Sequence, residues 1–138
     1  MSGELVARLK RRALDFLDEA LSAKNADLAA FFLEQAAQLY VKATLLELVG
    51  RETRGHGVRE LLGLLARELE SYGFGEAAGR ILGFVDGRRR ELVLLEEAYT
   101  ASRYGEAEYS AKDVERLAAT VKDLIKLLDE VAENVKLG

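Results

Sequence analysis

The chain predicts an all-α fold, and three observations carry that prediction. It contains no proline, and nowhere do apolar and polar residues alternate over the length of a strand. Apolar residues instead recur three and four positions apart through five stretches, separated by connections that contain glycine. With 138 residues, 49% hydrophobic and 32% charged, the chain has the size and balance of one folded domain, residues 1–138. Internal repeats and low-complexity linkers are absent.

The first helix is expected over about residues 3–22, where Leu5, Val6, Leu9, Ala13, Phe16, Leu17, Ala20 and Leu21 make one face. Arg8, Arg11, Arg12, Asp15 and Asp18 make the other. Asn25 is placed to cap a second helix that Gly50 would end. That helix is apolar nearly all round, with a narrow polar stripe of Asp27, Glu34, Gln35, Gln38 and Lys42. It is the expected hub, either central in the bundle or covered on one side by a second subunit.

Gly50-Arg51-Glu52-Thr53-Arg54-Gly55-His56-Gly57 then leads into a third, shorter helix to about residue 71, with Val58, Leu61, Leu62, Leu65 and Leu69 inward. Three arginines around the only histidine, Arg51, Arg54 and Arg59, beside a helix N-terminus, make a candidate anion site; a solvated loop is the alternative. After Gly73, one long fourth helix is expected over about residues 76–104. At 100° per residue, Ile81, Phe84, Val85, Leu92, Leu95 and Tyr99 stay within about 100° of one another, so the stripe keeps its phase across Gly87. Arg88, Arg89 and Arg90 would also oppose the dipole of a helix beginning there. The same projection puts Arg88 and Arg103 on the apolar stripe, a costly place for a permanent charge unless it is paired or used. Ser110 and Asp113 open the last helix as a capping box, and Val114, Ala118, Val121, Ile125, Leu128, Ala132 and Val135 form a seam for packing within the bundle or across a dimer.

Several function classes are excluded by composition. Without cysteine there is no disulfide, thiolate metal site or cysteine nucleophile, and one histidine cannot build a multi-histidine metal site within a subunit. No motif asks for a metal or a cofactor. A net charge of -4 confines any polyanion site to a local basic patch. No apolar run approaches the roughly 18–20 residues that span a bilayer, and the first twelve residues lack a signal-peptide pattern, so a cytoplasmic location without membrane contact is expected. Few Asn, Gln and Met beside abundant Arg, Glu and Leu are compatible with a thermophilic source.

Five such helices resemble the HEPN family of prokaryotic helical domains. The resemblance rests on the nearly all-apolar second helix, the Gly55-His56-Gly57 turn, and Tyr99-Thr100-Ala101-Ser102-Arg103-Tyr104 closing the fourth helix. It covers essentially the whole chain. It implies an antiparallel bundle of four long helices plus one shorter helix, paired as a homodimer and often encoded beside a minimal nucleotidyltransferase in a toxin–antitoxin arrangement. Many members are metal-independent ribonucleases that use an arginine followed, after four to six residues, by a histidine. Arg103 matches that arginine, but Glu108, Tyr109 and Ser110 occupy the three permitted histidine positions. A carboxylate such as Glu108 is repelled by phosphate and is a weak base, which argues against the family's cleavage route.

The expected ligand-binding residues are therefore Arg103, Tyr99, Tyr104, Arg88 and His56, with Arg103 and Glu108 the candidates for any catalysis. Bland readings stand beside each. Arg103 also fits a helix C-terminus, paired with Glu96 or Glu97. Tyr99 and Tyr104 also fit a core or interface, His56 a helix entry, and Arg88 to Arg90 a solvated charge run. Three functions follow: a nucleotide- or RNA-binding dimer acting with a nucleotidyltransferase, a ribonuclease toxin, or a non-catalytic helical interaction module.

Overall fold

The computed structural model describes residues 2–104 and 108–138, with side chains described for residues 3–101 and 108–138. Among the described residues six helices follow one another: α1 Ser2–Ser22, α2 Ala26–Val49, α3 Val58–Ser71, α4 Gly75–Gly87, α5 Arg89–Tyr104 and α6 Ala111–Leu137. No strand occurs among the described residues.

Local chemistry sets most of the helix ends. Asn25 Oδ1 accepts from Leu28 N at 3.0 Å, and Gly50 closes α2 in the left-handed region at φ 65°. At the end of α3, Gly73 has φ 91°, its N–H donates to the Glu70 carbonyl, and Phe74 N donates to the Leu69 carbonyl at 2.8 Å. That pair of bonds is a Schellman ending, and Phe74 packs against the core as its apolar partner. The Ser110 capping box is complete, with Asp113 N donating to Ser110 Oγ and Ser110 N to Asp113 Oδ2, each at 3.0 Å.

Helix α2 is the hub, packed against α1, α3, α5 and α6. Leu33, Ala36, Ala37, Val41 and Leu45 are fully buried, and the seam of α6 meets them with Leu117, Val121, Leu124, Leu128 and Val131. Val121 and Leu128 of the seam are thus buried inside this chain, while Val114, Ile125 and Val135 remain half-buried. Small residues on both sides, Ala13 and Ala20 of α1 and Ala29, Ala30, Ala36 and Ala37 of α2, leave little side-chain bulk between those helices.

One expectation needs correction. The fourth helix is not continuous: Arg88, at φ -120° and ψ 24°, separates α4 from α5 and makes six helices instead of five. Phase could not reveal this, because Arg88 N still donates to the Phe84 carbonyl and Leu92 N to the Arg88 carbonyl, both near 3 Å. So short an interruption leaves Ile81, Leu92 and Leu95 all in the core. What the break changes is the packing partner: α4 lies on α3 and α6, whereas α5 lies on α2 and α6. The dipole penalty at the start of α5 is offset by Glu91 in its first turn and by Asp86, whose Oδ1 is 3.3 Å from Arg89 Nη2.

Within the narrow polar stripe of α2, Glu34 is 0% exposed and Gln38 7%, while Asp27, Gln35 and Lys42 are half-buried.

Candidate functional site

Residues 51–57 form no regular structure and carry His56 to the outside of α5. There the imidazole stacks on the Tyr99 ring, with centroids 4.4 Å apart and planes 10° from parallel. His56 is exposed and Tyr99 is half-buried, so two of the expected ligand-binding residues meet at the surface.

The expected anion site lies next to them, already filled by the protein itself. Gly57 has no side chain to cap α3, and Glu96 of α5 takes that role by accepting from Arg59 N at 3.2 Å. The Arg59 guanidinium holds the same carboxylate from Nε at 2.7 Å and Nη2 at 3.3 Å. The other arginines of the connection are elsewhere: Arg51 is paired with Glu68 at 2.6 Å, and Arg54 is exposed and outside the cavity. An external phosphate here would have to displace Glu96.

A cavity of about 430 Å³ opens between these groups, lined by Gly55, His56, Gly57, Arg59, Glu60, Val93, Glu96, Glu97 and Thr100. Three carboxylates against one paired arginine make it acidic. It suits a group with hydrogen-bond donors and an aromatic face better than a bare phosphate.

Near Glu96 lies the buried part of α2. Glu34 Oε1 and Oε2 accept from the side-chain amides of Gln35 and Gln38, both at 2.8 Å, and Lys42 Nζ donates to Gln38 Oε1 at 3.1 Å. Burial pushes the Glu34 carboxyl above its usual range against the opposing pull of the two amides, and the charge of Glu96 adds to the rise. Burial likewise lowers Lys42.

The remaining expected residues separate. Arg88 is outside the cavity and serves the bundle: Nη2 holds Asp123 Oδ2 at 2.6 Å, and the guanidinium lies 5.2 Å from the Phe84 ring centroid. Arg88 thus does not join His56 and Tyr99 at the cavity. Arg103 and Tyr104 belong to the last turn of α5, four and five residues beyond Tyr99, and their side chains lie outside the described residues.

Glu108 is exposed and does not line the cavity. Tyr109 donates its hydroxyl to the Leu94 carbonyl at 2.9 Å and its N–H to Asp27 Oδ1 at 2.7 Å. Burial, with Glu97, Asp27 and Asp113 nearby, pushes its phenol up to about 12. Two of the three positions where a histidine was sought therefore hold structural groups, Tyr109 and the cap Ser110. Sequence reasoning missed Glu60 as a wall of this cavity and offered Glu96 to Arg103 rather than to Arg59, which holds it here.

The chain matches the model of the HEPN domain over residues 6–131. It belongs to the HEPN family. No curated protein and no solved structure matches it. In this HEPN domain the segment that carried the resemblance, Tyr99 to Tyr104, is the C-terminal end of α5, and Tyr99 brings that end to the His56 cavity. Among the described residues no helix is long and apolar enough to cross a membrane.

Proposed function

We propose that this HEPN domain binds nucleotide or RNA as a homodimer, with Arg103 contacting phosphate, and acts with a minimal nucleotidyltransferase in a toxin–antitoxin arrangement. The observation that carries the reading is the His56–Tyr99 stack over an open cavity, four residues before Arg103 on the same helix. Stacked rings at a surface offer a platform for a base, and an arginine one turn away supplies a charge for its phosphate. Glu96 already sits at the α3 N-terminus, which supports assigning the phosphate contact to Arg103 rather than to that helix start.

Self-association is supported by Leu14 and Leu21, seven residues apart on α1 and 42% and 54% exposed. Leu21 also borders a groove of about 570 Å³ with Leu33, Val114 and Ala118. Cleavage is disfavoured because positions 108–110 supply no imidazole. The test is binding of RNA and of a nucleoside triphosphate across a salt series. Arg103→Ala is expected to weaken binding by about tenfold or more. Unchanged affinity in that variant removes the assignment, and cleavage of single-stranded RNA in chelator would replace it with the ribonuclease reading. Light scattering at micromolar concentration tests the dimer.

A further inference from the structure

A second groove of about 560 Å³ adjoins the His56 cavity and shares Val93 and Glu97 with it. Its other walls are Arg89, Arg90 and Leu94 of α5 and Arg116 of α6. The two hollows have opposite chemistry on one helix. Around His56 there are an aromatic stack and three carboxylates; around Arg90 there are three guanidinium groups with Glu97 at the boundary.

The arginines of this groove remain available to an outside anion. Arg90 has no ion pair among the described residues. Arg89 and Arg116 each hold a carboxylate, Asp86 at 3.3 Å and Glu91 at 3.0 Å, but both arginine side chains are more than half exposed. Such pairs are worth little in water and exchange readily for another anion. Arg88 differs, being held by Asp123 and set against Phe84.

From Arg90 to Glu97 is seven residues of helix, about 10 Å of rise. That is more than one phosphate spans, and it joins a cationic surface to a stacking surface. We infer that this face of α5 is a track for a single-stranded polynucleotide: the sugar–phosphate backbone crosses Arg89, Arg90 and Arg116, and a base enters the adjoining cavity to stack on His56. The carboxylates set the polarity. Glu60 and Glu97 repel phosphate but accept from the amino groups of a base, so the backbone is kept on the arginine side. The inference rests on the nucleotide- or RNA-binding reading and adds to it a site and the side of that site on which the backbone lies.

Fluorescence anisotropy with a labelled single-stranded RNA octamer, its DNA counterpart and a labelled nucleoside triphosphate, each over a salt series, provides the test. The octamer is expected to bind at least tenfold tighter than the triphosphate. Arg90→Ala combined with Arg116→Ala is expected to flatten the log–log salt dependence by about 1.4, for two contacts at about 0.7 each on a single strand. His56→Ala lowers affinity about tenfold at every salt concentration and leaves the slope in place. Glu97→Gln tightens binding about two- to fivefold by removing a like charge beside the backbone. These side chains are largely at the surface, and far-UV circular dichroism checks that each variant is folded.

If RNA binds but the double variant keeps the wild-type slope, or octamer and triphosphate bind equally, the track is refuted while nucleotide binding stands. If neither RNA nor triphosphate binds at low salt, both readings fall. Equal binding of the RNA and DNA octamers keeps the track but assigns it to backbone and base alone; preference for RNA adds the 2'-hydroxyl as a contact.

Discussion

Helix α2 carries two inward carboxylates in opposite circumstances. Glu47, at its C-terminal end, receives Lys10 Nζ from α1 at 2.9 Å and Lys136 Nζ from α6 at 2.6 Å. Burial alone would raise its carboxyl, but the hydrogen bonds from Lys136 and Lys10 outweigh burial and hold it below the usual range. Nearby, Tyr40 donates to Asp129 Oδ1 at 2.6 Å. Glu34, thirteen residues earlier, has only amides on its oxygens and is driven the other way by burial. One region ties three helices together with its charges matched. The other leaves acids in excess and lies beside the cavity and the ring stack. Unmatched charge persists where a ligand can use it, and the contrast supports placing function at the α3–α5 side and structure at the Glu47 side.

The largest effect that sharpens this contrast is expected from Glu34→Ala. It strands the buried Gln38 amide and opens a void, and should cost about 3 kcal/mol in urea unfolding. Glu47→Ala frees Lys136, which is more than half exposed, and Lys10, which is largely covered but at the surface edge, and should cost about 1 to 2 kcal/mol. A reversed order would break the assignment of Glu47 as a mere clamp.

The pH dependences should have opposite signs. The folded pKa of Glu34 lies above its unfolded value, so its contribution is complete below about 4.5, the usual carboxyl value, and is lost as pH rises through the folded pKa. Glu34→Gln should therefore gain on the wild type as pH rises from 4 to 8. Glu47 is depressed, so its contribution is present above the ordinary value and disappears as pH falls through the folded one. Glu47→Gln should lose least, relative to the wild type, in acid. Chemical denaturation at each pH reads both slopes. The smallest change in stability is expected for His56→Ala, under about 0.5 kcal/mol because the ring is exposed, although binding should fall about tenfold. A large loss of stability instead would make His56 a structural residue.

Much of the fold was legible because it is written in near neighbours. Asn25, Gly50 and the Ser110–Asp113 box act over three or four residues, and each works as the local pattern suggests. The site was less legible. His56 and Tyr99 were both chosen from sequence, but their stacking joins positions 43 residues apart, and nothing local implies it. Phase places Arg88 on the apolar stripe, yet its partner Asp123 is 35 residues away, and no local pattern implies that pairing.

The sequence by itself determined the helix class, the faces of α1, α3 and α6, the caps and the family, all of which follow from 3.6-residue periodicity and hydrogen bonds within a turn. Tertiary structure decided three further things: that Glu34 and Gln38 of α2 are buried, that Arg88 breaks the long helix, and that Glu96 occupies the α3 N-terminus. Each depends on which helices lie side by side. The bonds from Arg59 to Glu96 cross 37 residues and form only when packing brings α3 and α5 together. Period and propensity carry no record of that pairing, since burial free energy fixes the neighbours first and the polar groups then take the partners within reach.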